Sequence, residues 1–354
     1  MSKISVAVLG ATGMIGQRFI QMLEDHPYFE IEGLYASERS NGKKLSEVLK
    51  VRDHVYLDDT MDRTIETMDI SKIAKNCRIA FSGIPSDLAG PTESQLAEAG
   101  VAVFTNAGSH RMDPHVPILI PEVNPEQFEA VKDQPTYNST GGYIVTNANC
   151  SSTGIAAPLK AIDDAFGLKQ VFVSTYQALS GAGYPGVPSL DAVGNVVPFI
   201  SHEEEKMESE LAKMLGTYEG GEFRFAPFKV MANCARVPVV DGHLESLVLD
   251  MEQQPTLEEL DACLSGFRGE PQKLGLPSAP VQPIIVRHED NRPQPVFDAM
   301  AGRPERARGM AVTVGRLRQS NGYYKAFVMS HNTLRGGAGG SVLNAELAKA
   351  KGIL

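Results

Sequence analysis

The sequence predicts a two-domain α/β protein, a parallel doubly wound sheet followed by a mixed sheet. The chain has 354 residues, more than one hydrophobic core usually organises. Its first part spaces short apolar runs (Ile4 to Leu9, Ile31 to Ala36, Ile79 to Ser82, Val101 to Thr105, Tyr143 to Thr146) between polar or helical stretches. This is the spacing of βα units in a parallel sheet. Beyond Cys150 the pattern changes. Ser151 to Phe166 reads as a helix, and Gln170 to Tyr176, His243 to Asp250, Ala311 to Leu317 and Tyr324 to Ser330 read as longer strands. The main boundary falls near Thr146, with residues 1–147 in the first domain and 148–331 in the second. A glycine-rich stretch at 335–340 leads into a helix-favouring tail, Asn344 to Lys351. The Pro-rich Leu276 to Pro283 and the polar Asp290 to Pro295 read as surface loops.

Composition narrows the function classes. Apolar residues make up 42% and charged residues 21%, values of an ordinary globular protein. A net charge of -10 without a long basic cluster disfavours nucleic acid and anionic membrane surfaces as partners. The four cysteines, Cys77, Cys150, Cys234 and Cys263, have no CxxC spacing, so neither a zinc site nor a disulfide framework is expected. No apolar run approaches a membrane span. The N-terminus enters a strand at once, which is not the pattern of a signal segment. A reducing, cytoplasmic location is the expectation.

Gly10-Ala11-Thr12-Gly13-Met14-Ile15-Gly16 lies between the first strand and the helical pattern of Met14 to Leu23. Glycine there permits a tight turn and close backbone approach, while a helix N-terminus offers free N–H groups to a pyrophosphate. The first domain is therefore read as a Rossmann-like dinucleotide-binding domain, with Gly10, Thr12, Gly13, Met14 and Ile15 against the cofactor. The spacing is GxxGxxG, not the standard GxGxxG. Ser82, at the end of a strand of the same sheet, joins these candidates. After the second strand, Ser37, Arg39 and Ser40 offer two hydroxyls and a guanidinium, a set suited to the 2′-phosphate of NADP. Glu38 in the same loop would suit the ribose hydroxyl of NAD instead.

Cys150 follows a strand and opens a helix. That location can stabilise a thiolate, and the helix N–H groups can serve a developing oxyanion. Asn149-Cys150, together with the Arg236-Val237-Pro238 run leading to Gly242-His243, resembles aspartate-semialdehyde dehydrogenases of the archaeal and fungal subgroup. Ser109-His110-Arg111, Gln177 to Gly183, Glu203 to Lys206 and His331 to Gly336 extend the likeness over nearly the whole chain.

The resemblance implies Cys150 as nucleophile, His243 as general acid/base and Gln177 as the residue that orients the acyl group. It implies Arg236 on the substrate carboxylate and one of Glu203, Glu204 and Glu205, with Glu203 preferred, on the amino group. Asn149 would position the intermediate, and Arg111 and Lys206 would bind phosphate. Ser180, Gly181 and Asn332 would border the nicotinamide. It further implies that the C-terminal segment 332–354 completes the first domain, and that the second is a catalytic and dimerisation domain forming a homodimer or homotetramer. No metal is implied. The reaction implied is NADPH-dependent reductive dephosphorylation of L-4-aspartyl phosphate to L-aspartate 4-semialdehyde, a step toward lysine, threonine and methionine. Two alternatives stay open: a related cysteine acyl reductase such as a malonyl-CoA reductase, and a non-catalytic NADP sensor.

Overall fold

The structure, a computed structural model, describes residues 2–51 and 53–354. The first sheet contains β1 (Ile4–Leu9), β2 (Phe29–Ala36), β3 (Ile65–Thr67), β4 (Ile79–Ser82), β5 (Ala102–Thr105) and β6 (Tyr143–Thr146). All pairs are parallel, in the order β3-β2-β1-β4-β5-β6. Residues of β1, β4, β5 and β6 are mostly buried on both faces, as a parallel sheet sandwiched by helices requires. The strand order reverses between β1 and β4, and the crevice at their carboxyl ends is where such sheets bind ligands.

The helix Gly339–Ala350 returns to this sheet. Its Val342, Leu343, Ala345 and Leu347 share one core with Val6, Phe81 and Phe104. It starts earlier than the expected Asn344, because the glycines before it serve close packing. A Cβ on Gly339 would lie 2.3 Å from Met310 Sδ, and one on Gly340 2.7 Å from Asn147 Oδ1.

The second sheet is built from β7 (Leu168–Gln177), β10 (Lys229–Arg236), β11 (His243–Met251), β12 (Ile284–Arg287), β13 (Val312–Ser320) and β14 (Tyr323–Ser330), in the order β10-β7-β11-β14-β13-β12. A small hairpin, β8 (Thr217–Glu219) with β9 (Glu222–Arg224), stands apart. The large sheet is mixed: β10 with β7 and β12 with β13 are parallel, the other pairs antiparallel. β11 alternates buried and half-buried residues, the signature of a sheet covered on one face. The helices Cys150–Phe166, Glu203–Met214 and Leu257–Gly266 pack with its inward residues in one core.

One sequence expectation is corrected and one strand is added. The segment Leu276 to Pro283 is not a surface loop: Leu276, Ser278 and Ala279 are buried, and Leu276 and Ala279 join the core of the first sheet. Its prolines hide it from a periodicity reading, yet the Ser278 N–H is satisfied by Glu346 of the C-terminal helix. The edge strand β10, half-exposed and with its apolar residues interrupted by Asn233, gave no long apolar run to announce it. It matters for the site, because its register sets Arg236 beside Gln177 at the strand ends.

Candidate active site

Cys150 is the first residue of the helix that follows β6, and Asn149 is its N-cap. Asn149 Oδ1 accepts the N–H groups of Ser151 (2.9 Å) and Ser152 (3.1 Å). Two of the free N–H groups expected to serve an oxyanion are thus taken by the cap, which leaves the Cys150 N–H for that task. Cys150 Sγ lies 3.2 Å from His243 Nε2. On the other side of the ring, Nδ1 accepts the Ala178 N–H at 3.0 Å. A backbone amide only donates, so the neutral ring carries its proton on Nε2, facing the sulfur.

Burial, then the charges of Arg236 and His331, hold the fully buried His243 well below the usual imidazole range. Burial, aided by Glu203, pushes the Cys150 thiol up to about 12 against the pull of Arg236 and Arg111. The helix start favours a thiolate, and burial opposes it. Both shifts favour the uncharged forms, a thiol beside an imidazole.

Around this pair, side chains hold one another. Glu203 is buried, and its Oε1 accepts Asn149 Nδ2 at 2.7 Å and Gln177 Nε2 at 3.0 Å. Of the three consecutive glutamates it alone faces inward: Glu204 accepts the Cys234 N–H and Glu205 is exposed. Arg236 is buried and donates from Nη1 to the Ala178 carbonyl at 2.7 Å. Ala178 therefore orients both the imidazole, through its N–H, and the guanidinium, through its C=O. Gly181 lies directly over them, since a Cβ there would stand 2.8 Å from Arg236 Nη1 and 3.2 Å from His243 Nε2.

The glycine loop reaches this center through the tail. Gly10 has φ +78°, and a Cβ on it would meet the Gly83 carbonyl at 2.6 Å; on Gly16 a Cβ would meet the Gly10 carbonyl at 2.0 Å. The helix Met14–Leu23 starts at Gly13 with no side-chain cap, so its first N–H groups face a cradle without side chains, as a pyrophosphate requires. A Cβ on Gly337 would lie 3.0 Å from Ile15 Cδ1, and one on Gly336 2.8 Å from Cys150 Cβ. Two adjacent glycines of the tail thus join the glycine loop to Cys150.

Family models match both parts of the chain, a semialdehyde dehydrogenase NAD-binding domain over residues 5–131 and a semialdehyde dehydrogenase dimerisation domain over residues 159–335. An aspartate-semialdehyde dehydrogenase of Methanothermobacter thermautotrophicus is 46% identical over 352 residues, covering 97% of this chain and 98% of its own. That of Aspergillus fumigatus is 39% identical over 99% of both chains. The chain belongs to the aspartate-semialdehyde dehydrogenase family. Among solved structures, the Candida albicans enzyme with NADP superposes with a TM-score of 0.88 at 39% identity over all of both chains. The Vibrio cholerae enzyme II complexed with ASA gives 0.76 at 26% over 99% of both.

Within this family frame, several side chains expected at ligands have other work. Ser82, expected at the cofactor, is wholly buried, and its hydroxyl donates to Glu93 Oε1 at 2.6 Å. Arg111, expected at phosphate, donates to the carbonyls of Asn147 (2.9 Å) and Asn106 (2.8 Å) and to Glu210 Oε1 (2.8 Å). Glu210 largely offsets its charge. Lys206 is half-buried; its backbone bonds His202 and Ser209, and no hydrogen bond or ion pair engages its ammonium among the described residues. Asn332 donates to Ser180 Oγ at 2.8 Å and accepts the Gly242 N–H at 2.8 Å, so it fixes two loops of the site. Ser37 and Arg39 are exposed and Ser40 half-buried on the turn after β2.

The sequence reading missed Glu210, which also accepts the Asn149 N–H at 2.7 Å. It lies seven residues after Glu203, in phase with buried Met207, Leu211 and Met214, and a helical-face count would have found it.

Proposed function

We propose that this chain catalyses the reversible, NADPH-dependent reductive dephosphorylation of L-4-aspartyl phosphate to L-aspartate 4-semialdehyde, with Cys150 as nucleophile. The observation that carries it is the Cys150 sulfur 3.2 Å from His243 Nε2, with buried Arg236 and Glu203 beside it. Arg236 and Glu203 are a cation and an anion set to receive the carboxylate and ammonium of an amino acid. That zwitterion-binding set favours the aspartyl substrate over malonyl-CoA. Lys206 is the side chain we assign to the phosphate, with Arg111 contributing charge from behind its own hydrogen bonds.

Sulfur attacks the β-acyl carbon, and the acyl–oxygen bond breaks. The thiol proton leaves with the phosphate, so the step balances with His243 neutral throughout. The Nε2–H of His243 and the Cys150 N–H then face the acyl oxygen as donors, in the manner of a neutral imidazole electrophile. In this scheme His243, the general acid/base by resemblance, acts as a hydrogen-bond donor. NADPH, held along Gly10 to Ile15 and by Ser37, Arg39 and Ser40, supplies the hydride when bound. Cys150 is expelled as thiolate when the tetrahedral oxyanion collapses to the aldehyde, and it takes up one proton. Gln177 and Asn149 hold Glu203 through these steps.

We assign residues 1–147 with 332–354 to the cofactor domain and 148–331 to the catalytic and dimerisation domain. Each stretch carries one of the two sheets. The uncovered face of the second sheet exposes Phe172, Tyr176, Met231 and Tyr323, which supports a homodimer or homotetramer formed through it. Light scattering coupled to size exclusion will report the state.

The central test supplies aspartate semialdehyde, phosphate and NADP together and omits each in turn. NADPH should form only with all three. Cys150→Ala should lower turnover by about 10⁴-fold or more while still binding NADPH. Residual turnover near wild type, or equal activity with malonyl-CoA, would overturn the assignment.

A further inference from the structure

Glu245 follows His243 by two residues on β11, so both side chains enter the same face of the second sheet. Farther along that strand the inward positions are apolar: Leu247, Leu249 and Met251. Glu245 is wholly buried, and neither carboxyl oxygen has a hydrogen-bond partner among the described residues. Its surroundings are hydroxyls. Thr175 is its cross-strand neighbour on β7, Ser151 belongs to the first turn of the Cys150 helix, and Ser330 comes from β14. Gly154 of that helix rests directly on the group, because a Cβ there would lie 2.6 Å from Ser330 Oγ and 3.0 Å from Glu245 Oε2. The titratable groups that face it are Glu203, from the helix Glu203–Met214, Cys150 itself, and Cys234 of β10. His243, on its own strand, is neutral. None of these is a cation. A charge in this place would be buried and unpaired, a state that proteins relieve by protonating the group.

We propose that Glu245 is a positioning residue of this active site, a carboxyl that keeps its proton, seats the first turn of the Cys150 helix and places no negative charge beneath the nucleophile. Burial raises its pKa well above the carboxylate range, in agreement. An ionised Glu245 would oppose the thiolate, since its charge is felt at Cys150. The inference rests on Cys150 as the nucleophile, and failure of that reading would show separately, as turnover by Cys150→Ala.

The test compares the full-length wild type with Glu245→Gln and Glu245→Ala. Alkylation of Cys150 by iodoacetamide is followed against pH, with the modified peptide identified by mass spectrometry. The neutral amide should leave the pH midpoint unchanged. A midpoint lowered by about one unit or more would show that the wild-type carboxyl is charged and would overturn the proposal. Glu245→Ala should lower kcat about tenfold or more with KM for NADP unchanged, and glutamine should restore most of that loss. An alanine variant with wild-type kcat would remove the positioning role. Should the alanine variant fail to fold, the infrared band of a protonated carboxyl decides the matter. It is expected in the wild type and lost in Glu245→Gln, and its absence from the wild type would overturn the proposal.

Discussion

The two walls of the candidate site, the glycine loop and the residues around Cys150, differ in what holds them. The wall proposed for the cofactor is backbone: Gly10, Gly13 and Gly16 set the turn, and a Cβ on Gly10 or Gly16 would collide with a neighbouring carbonyl. The catalytic wall is side chains that fix one another, with Glu203 taking two amides and Ala178 taking both His243 and Arg236. Backbone is indifferent to side-chain identity but intolerant of added volume. A bonded set of side chains is the reverse, since losing one member strands its partners. The two walls should therefore fail in different ways.

Arg236→Leu sharpens the contrast most. Loss of a buried guanidinium proposed to receive a carboxylate costs a charge-assisted pair, and kcat/KM for aspartate semialdehyde should fall about 10²- to 10³-fold. NADPH affinity, measured by fluorescence titration, should stay within about twofold. Equal losses of both would mean that the two walls are one structure and the comparison is wrong. On the other wall, Gly16→Ala brings a Cβ to 2.0 Å from the Gly10 carbonyl. NADPH affinity should drop about tenfold to a hundredfold, while Cys150 in the same variant keeps its alkylation rate. Loss of that reactivity in a folded variant would break the separation.

How much of this was legible in the sequence follows the same division. β1, the glycine turn and the helix Met14–Leu23 are local, and their period and punctuation can be read from neighbours in the chain. Cys150 was legible for the same reason, as a residue after a strand and at a helix start. The electrostatic state of that cysteine was not, because it is set by burial and by Glu203, Arg236 and Arg111. Arg111 shows the limit most clearly. Motif likeness placed it in the site, but only the fold reveals that Asn106, Asn147 and Glu210 occupy its guanidinium. Glu245 gave no motif, and its meaning depends on which face of β11 turns inward.

Smaller effects are expected from side chains of the wall proposed for the cofactor. Arg39 is exposed on the turn after β2, and no ion pair engages it among the described residues. Arg39→Ala should weaken NADPH about tenfold and leave NADH nearly unchanged, because only NADPH carries the phosphate a guanidinium would hold. Equal weakening of both would return the coenzyme preference to Glu38.

Ser82 should show almost no binding effect, which makes it the finest probe of the comparison. Its hydroxyl is fully buried and donates to Glu93, which also accepts from Thr105 Oγ1 at 2.6 Å. Burial raises the pKa of this carboxyl, and the two hydroxyls counter the rise. Ser82→Ala therefore removes one of the donors that favour the ionised form of Glu93. It should cost about 1–3 kcal/mol in urea unfolding, with NADPH affinity changed less than about twofold. A carboxyl whose folded pKa is raised contributes stability that is complete below its unfolded value and lost as pH rises through the folded one. Removing the Ser82 donor raises the folded value further. The deficit of Ser82→Ala should then be largest above the folded pKa of Glu93 and shrink on acidification toward 4.5, the ordinary value of the group. A deficit that grew on acidification, or a loss of NADPH affinity at constant stability, would put the hydroxyl back at the cofactor.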